Sequence, residues 1–351
     1  MKPYFALAMS SLLSLQMIGQ VPLKQETGAD YTIRVDSALV QVPAMVLSAS
    51  GHPLRGLTSS DFRLTDDAVE QMCRMEDSSP VPPSIVLLMQ TGGDAYLQFR
   101  SYRRLQPLFT SLIGGFSHRL ALITFDSRPE EIWNFPAGTE GIQYAFVDPR
   151  PGDKAAAIMD AVVAGLDLLD QQPPTPRRII ILLSQSRDEG SKILPAELLK
   201  RLGESNTAVF SITFQMNRGR RNTRSEKARL SESSIREDAA GADALIDRLS
   251  RKLSENTAAA IAQLSGGESV SFSDSSELQE KLMTLAAQIP STYTLDFKPD
   301  STRRGLHLIQ VSLKKNVGVV LATRGSYWNP GSTEVTDPQG AKQSLQPSVI
   351  H

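Results

Sequence analysis

Apolar and polar positions follow two rhythms along this chain, and the rhythm changes twice. From Tyr31 to Met72, in YTIRVDSALVQVPAMVLSASGHPLRGLTSSDFRLTDDAVEQM, short alternating runs are separated by Gly, Pro, Ser and Asp. Alternation at period two puts one face of a strand in a core and the other in water, so two or three half-buried antiparallel strands are expected here. In residues 77–83, the prolines at 80, 82 and 83 favour extended backbone and mark a linker. Beyond it stand continuous apolar runs: SIVLLM from Ser84, RLALITF from Arg119, IIILLS from Ile179 and AVFSITF from Ala208. A strand that is apolar at every position suits a parallel sheet covered on both faces.

Helical spacing fills the gaps between these runs. Residues 97–112 repeat apolar positions at near-helical spacing, with a kink expected at Pro107; residues 155–169 make a strong helix; residues 193–205 make another, with Pro195 in its first turn. Leu245, Leu249, Leu253, Ile261 and Leu264 share one face, which predicts a single helix ended by Gly266 and Gly267. SVSF then reads as a last strand and SELQEKLMTLAAQI as an amphipathic helix. Alternation returns in STYTLDFKPD, GLHLIQVSLKK and VVLATRGSYW, with a turn at residues 315–318.

The fold class is therefore α/β, a doubly wound parallel sheet flanked at both ends by antiparallel β segments. The economical arrangement joins the two flanks into one small β-sandwich with the α/β domain inserted; separate lobes are the alternative, although three strands are few for independent stability. The expected divisions are a leader at 1–22, an N-terminal β segment at 31–77, the α/β domain at 84–288 with a charged, Ser-rich mobile insertion at 217–240, a C-terminal β segment at 291–328 and a disordered tail at 329–351.

At 351 residues, 40% hydrophobic and 21% charged, the chain can bury a substantial core. A formal net charge of −1 provides no global field to recruit nucleic acid or an acidic membrane. The one basic run, RGRRNTR from Arg218, lacks interleaved aromatics and is followed by acids, so a solvated loop is expected and no nucleic-acid partner. One Lys precedes an apolar stretch from Phe5 to Ile18, the pattern of a secretory signal and too short to span a bilayer comfortably. Export to the periplasm or outside the cell is expected, with no transmembrane segment in the mature chain; a buried N-terminal helix is the alternative. The single cysteine, Cys73, forms no intrachain disulfide and builds no metal site alone.

The pieces GHPLRGLTSSDFRLTDDAVEQ, IVLLMQTGG, HRLALITFDS, DKAAAIMDAV, RRIIILLSQSRDEGS, IAQLSGGESVSF, STYTLDFKPD and VVLATRGSYW occur in an order and spacing that resemble von Willebrand factor A (VWA) domain proteins, in particular the VWFA-related family of exported bacterial proteins. The resemblance spans roughly residues 31–328. It implies a VWA fold, protein partners and, in most members, a metal-ion-dependent adhesion site built from DxSxS after the first strand, a later Thr and an Asp after the fourth strand. Such oxygen ligands suit Mg²⁺, which is small, hard and octahedral. Carried onto this chain, the DxSxS positions are Gln90, Gly92 and Asp94, the Thr position is Ala156 and the late Asp position is Gln185. Every one departs from the pattern: both carboxylates have become amides and the hydroxyls are gone.

The site is accordingly read as degenerate, with no metal, no cofactor and no catalytic residue. Gln90 and Gln185 are expected to exchange amide hydrogen bonds, because two glutamines can pair without a cation where two aspartates would repel. Gly92 and Gly93 are expected to take positive φ. Gln90, Thr91, Gly92, Gly93, Asp94, Ala156 and Gln185 form the candidate partner-binding face. The alternative is a rearranged cation site using Asp94, Asp126, Asp153 or Asp188, against which stands their use as solvated acids and helix caps. The four histidines, at 52, 118, 307 and 351, show no metal-ligand spacing and are each expected at the surface. No GxSxG, P-loop or GxGxxG is present, so a hydrolase using Ser184 or Ser186 is the least supported reading.

Overall fold

The computed structural model describes residues 39–75, 83–105, 119–135, 141, 144–173, 177–214, 242–315 and 318–331. These all belong to the compact unit Ser37–His351. The leader, the charged insertion at 217–240 and the tail beyond Gly331 lie outside the described residues, as do Pro107 and most of the linker.

The N-terminal flank comprises β1 (Val40–Leu47), β2 (Phe62–Asp66), β3 (Val69–Gln71) and β4 (Cys73–Met75). The α/β part follows with β5 (Ser84–Gln90), α1 (Phe99–Arg103), β6 (Leu120–Phe125), β7 (Pro129–Trp133), α2 (Ile158–Asp170), β8 (Arg178–Ser184), α3 (Pro195–Glu204), β9 (Thr207–Phe214), α4 (Ala242–Glu255), α5 (Thr257–Ser265), β10 (Ser269–Phe272) and α6 (Ser275–Gln288). The C-terminal flank adds β11 (Tyr293–Phe297), β12 (Gly305–Leu313), β13 (Val320–Thr323) and β14 (Ser326–Asn329).

The central sheet runs β10-β9-β8-β5-β6-β7, parallel except for β7, which pairs antiparallel with β6 at the edge. Counted within the domain this is the doubly wound order 6-5-4-1-2-3, which reverses between β5 and β8. The continuous apolar runs become the strands covered on both faces, and alternate residues serve opposite layers. Leu87, Met89, Ile181 and Leu183 pack with Phe99 and Tyr102 of α1 and with Leu278 and Leu282 of α6. Val86, Leu88, Ile180 and Leu182 pack with α2, α3, α4 and α5 on the other side. Burying four such aliphatic side chains stabilises by about 1.5–3 kcal/mol each, which is why strand register is fixed so firmly here.

The single helix expected across Leu245 to Leu264 is two. Asn256 stands between α4 and α5, and its Oδ1 accepts a hydrogen bond from the Ala259 amide at 3.0 Å, an N-cap that restarts the helix. Gly266 closes α5 in the left-handed region at φ 87°.

The flanks form two four-stranded sheets, β13-β1-β11-β4 and β14-β12-β2-β3, each drawing strands from both ends of the chain. They share one core, including Val42, Val46, Leu64, Leu295, Phe297 and Ile309, so neither flank closes its core without the other. Among its described residues the stretch to Met72 holds β1, β2 and β3, in line with the two or three strands expected, and β4 follows just beyond it.

Arg324, between β13 and β14, fastens the sandwich to α3. Its buried guanidinium donates to the carbonyls of Leu202 and Gly203 in the last turn of α3, to Gln41 O at 3.2 Å, to Ser326 O at 2.7 Å and to Asn206 Oδ1 at 3.0 Å. Burial lowers its pKa to about 10, so it keeps its charge at neutral pH. A cation at a helix C-terminus is favoured by the helix dipole, and the planar fork supplies the donors those end carbonyls lack.

Candidate functional site

The reversal of strand order puts β5 beside β8, both pointing at the same rim, where a doubly wound sheet leaves its crevice. Gln90 ends β5 and Gln185 follows β8, and the two side chains meet. The Gln185 backbone amide donates to Gln90 Oε1 at 2.7 Å, and Gln90 Nε2 donates to Gln185 Oε1 at 3.2 Å and to Gly92 O at 3.0 Å. Gln185 Nε2 donates to Arg187 O at 2.8 Å. A backbone N–H can only donate, so Gln90 must turn its oxygen toward residue 185, and this fixes the orientation of the whole ladder. Both residues are buried, at 0% and 2% exposure, and neither amide is left short of a partner.

The surrounding loops close over this pair. Gly93 N donates to Asp153 O at 2.7 Å, Gly152 N to Thr91 O at 3.0 Å, and Thr91 Oγ1 to Phe125 O at 3.1 Å. Ala156 exchanges two backbone hydrogen bonds with Glu189, at 2.7 and 2.9 Å. Gly93 has the expected positive φ of 57°. Gly92 does not: at φ −77° and ψ 176° it is extended, and its glycine character answers crowding instead. A Cβ there would lie 2.1 Å from Ala155 O and 2.6 Å from Asp126 Cβ.

Of the seven residues expected to form a partner-binding face, Gln90, Thr91, Gly92, Ala156 and Gln185 are buried, while Gly93 and Asp94 are half-buried. The first five form a floor. What this rim offers to solvent is Tyr96 and Leu97 from the turn after Asp94, together with Lys154 and Arg187.

Three of the four rim acids are engaged by backbone amides. Asp126, 3% exposed, accepts from Asp153 N at 2.9 Å and from Arg128 N at 3.3 Å. Asp153 accepts from Ala155 N at 2.9 Å and Ser127 N at 3.2 Å; the Ser127 hydroxyl, followed by those amides, holds its pKa below the ordinary aspartate value. Asp188 accepts from Met159 N at 3.0 Å and Ser191 Oγ at 2.6 Å, which caps the first turn of α2. Glu130 moves the other way: partial burial, then the negative charge of Asp126, pushes its carboxyl above the usual range. Asp94 sits half-exposed in the short 3-10 turn Gly93–Gln98. Ser184 is buried, and its hydroxyl donates to Gln185 O at 2.8 Å.

Elsewhere the structure corrects an expectation. His307 is fully buried in the sandwich, not at the surface; His52 is exposed, while His118 and His351 lie outside the described residues. Its Nδ1 is 3.0 Å from both Asp66 Oδ1 and Asp67 Oδ2. Among the described residues, this is the one group of three His, Cys, Asp or Glu side chains spaced as a metal could use. Arg303 donates to Asp67 Oδ2 and Tyr327 OH donates to Asp66 Oδ2 at 2.8 Å, so a guanidinium and a phenol already fill the shell a cation would need. Strand alternation at residues 305–313 carried a hint of the burial, since His307 shares a strand face with Ile309.

No family model and no curated protein matches the chain. Among solved structures, the chain is similar to the von Willebrand factor type A protein from Catenulispora acidiphila, at 12% identity and a TM-score of 0.39, over 84% of this chain and 74% of that one. It is similar to the conserved hypothetical protein BatB from Bacteroides thetaiotaomicron, at 15% identity and a TM-score of 0.39, over 57% of this chain and 95% of that one. A third similarity is to the vWF domain of the type V pili tip protein Mfa5 from Porphyromonas gingivalis, at 14% identity and a TM-score of 0.27, over 31% of this chain and 39% of that one, so the chain spans well under half of that structure. Likenesses this distant leave the chain's own topology and rim geometry to carry its reading. Strand order, an antiparallel edge strand and strand-end loops at the switch point agree with the fold that the sequence resemblance implies. No helix among the described residues is long and apolar enough to cross a membrane.

Proposed function

We propose that this chain is an exported, non-enzymatic protein-interaction module whose VWA-like domain holds its strand-end loops together without a cation. The observation that carries this reading is the buried Gln90–Gln185 ladder. At the positions where the resembling family places two metal-binding carboxylates, each amide here satisfies the other, and the acids nearby serve backbone amides. Mg²⁺ binding needs several oxygens free at near-octahedral geometry, and three of the four rim acids give theirs to backbone amides. Export is supported by the charged-then-apolar N-terminal pattern. The absence of a nucleophile motif and the internal hydrogen bond of Ser184 support a non-enzymatic role.

Partner contact falls to the exposed rim, Tyr96, Leu97, Lys154 and Arg187, seated on the rigid amide floor. Aromatic and arginine side chains on a preorganised surface are the usual carriers of interface energy. The test has two parts. Titration calorimetry and thermal denaturation with Mg²⁺, Mn²⁺ and Ca²⁺ should show no binding heat and no stabilisation; stabilisation that Gln185→Ala abolishes would overturn the cation-free reading. Photo-crosslinkers placed at Tyr96 and Leu97 should capture a discrete protein in the native envelope fraction. One placed at exposed Met283 should not, and equal capture at all three would reject the chosen face.

A further inference from the structure

We propose that His307 is a pH-operated latch in the β-sandwich: as an imidazolium on β12 it ties down the carboxylates of the β2–β3 turn, and its deprotonation loosens that turn. The charge state follows from what faces the ring. Nε2 lies 2.9 Å from Arg303 O, and a carbonyl can only accept, so Nε2 carries a proton. Nδ1 lies 3.0 Å from two carboxylate oxygens, one of Asp66 at the end of β2 and one of Asp67 in the turn, so Nδ1 carries a proton as well.

The remaining positions of the cluster are spoken for. Tyr327, on β14, donates its hydroxyl to the second oxygen of Asp66, and its ring lies 5.0 Å from the imidazole. The second oxygen of Asp67 accepts from Leu308 N at 3.0 Å. Arg303, in the approach to β12, pairs with Asp67 and also donates to Leu306 O at 3.0 Å. Two carboxylates thus face two cations, and the imidazolium is the member that can lose its charge near neutral pH. Burial of the ring opposes its protonation, but the hydrogen bonds to Asp66 and the Arg303 carbonyl and the charges of Asp66 and Asp67 outweigh it, so the pKa is raised.

The turn it holds is strained. Asp67 and Ala68 both have positive φ, 45° and 69°, in the two-residue link between β2 and β3. Mirror-image turns of this kind suit a hairpin's twist but favour Asn and Gly, and Ala68 has neither advantage. An observed strain of this kind points to a segment that its surroundings hold in place. The sign is fixed by linkage: a raised histidine pKa stabilises fully below the ordinary histidine value and is lost as pH rises through the folded value. Above that point the neutral ring keeps its remaining proton on Nδ1, between the carboxylates, and turns a lone pair on Nε2 toward the Arg303 carbonyl; one of the two cations is lost, leaving Arg303 and the Leu308 amide to balance the turn.

The experiment is an NMR titration of the ¹⁵N-labelled full chain, reading imidazole nitrogens and backbone amides from acid to alkaline pH. The His307 signals are assigned by their absence in His307→Gln. His307 should show both nitrogens protonated below the ordinary histidine value and a midpoint above that of free histidine. The amides of Asp67, Ala68 and Leu308 should shift with the same midpoint. Asp67→Asn, at an exposed position, keeps the fold and should move that midpoint to lower pH; it also assigns the ring if His307→Gln fails to fold. A ring nitrogen that stays unprotonated below the ordinary histidine value, a midpoint at or below that of free histidine, turn amides that do not follow the ring, or a ring signal altered by chelator would each overturn the latch.

Discussion

Replacing Gln90 with Glu exchanges one NH₂ group for an oxygen and changes almost no volume, which makes it a sharp probe of the rim. Gln90 is 0% exposed; its Oε1 accepts from Gln185 N at 2.7 Å while its Nε2 donates to two oxygens, Gly92 O and Gln185 Oε1. A protonated Glu keeps the first bond and supplies one donor where two are needed. One buried oxygen goes without, at about 1–3 kcal/mol. An ionised Glu supplies no donor and buries a charge between oxygens, so the folded protein keeps the acid protonated and raises its pKa. Holding that proton at neutral pH, against an ordinary Glu value of about 4.3, costs about 1.36 kcal/mol per pH unit, or about 3.7 kcal/mol in all.

The expected total is therefore about 5–7 kcal/mol at neutral pH, near the whole stability of many domains. A group whose folded pKa is raised loses this penalty as pH falls toward its unfolded value, so about one unit above that value the pH-dependent part shrinks to about 1.4 kcal/mol. Denaturant unfolding at neutral and mildly acid pH reads both quantities. A neutral-pH loss under about 1 kcal/mol, or a loss equal at both pH values, would refute the sealed-ladder geometry. Recovery on adding Mg²⁺ would show that the rim can assemble a cation site after all.

Other perturbations test the remaining contacts. Gly92→Ala should destabilise by about 1–3 kcal/mol or more through overpacking against Ala155 O, and by more than Gly93→Ala, whose new methyl finds its nearest neighbours at 3.4 Å and pays chiefly for positive φ; denaturant midpoints rank the two. Arg324→Met should cost about 3–5 kcal/mol by stranding buried carbonyls at the end of α3, and calorimetry should show the single unfolding transition broadening or splitting as sandwich and α/β domain uncouple. Arg324→Lys should recover only part of this, because an ammonium has three donors for five oxygens. Asp188→Ala should cost about 1–2 kcal/mol by uncapping α2, with Asp188→Asn losing less.

The central sheet was legible because burial on both faces leaves its strands without polar interruption: β9 is buried at all eight positions and β6 at all six. β7 was not, since an edge strand reading PEEIW has most of its residues in water and no distinctive period. Meeting of Gln90 with Gln185 was legible because it needs only two strand ends and an electrostatic preference. The α4–α5 break was hidden: apolar spacing continues through Asn256, whose capping role depends on one side-chain hydrogen bond. The extended Gly92 was hidden for a related reason, since its constraint comes from Ala155 and Asp126, distant in sequence. His307 and Arg324 were least legible. Their partners lie 241 and up to 283 residues away, and beyond the alternation that sets His307 on the face of Ile309, no local pattern distinguishes a surface histidine or arginine from one that ties two ends of a chain together.

On the proposed reading, amides standing where the resemblance implies carboxylates also change what ligand binding can be coupled to. A site that completes its coordination with a partner's carboxylate links affinity to cation concentration, because the ion binds one state better than another. Gln90 and Gln185 satisfy each other before any partner arrives, and Asp126 and Asp188 are committed to the loop and helix amides they position. The rim is thus prearranged, with little ordering left to oppose association. Affinity at Tyr96 and Leu97 should therefore be indifferent to chelators, and should fall when packing beneath them is disturbed. A Gly92→Ala variant that stays folded yet binds its partner as tightly as the parent would separate the surface from its floor, and that link is the step on which the proposed mode of recognition turns.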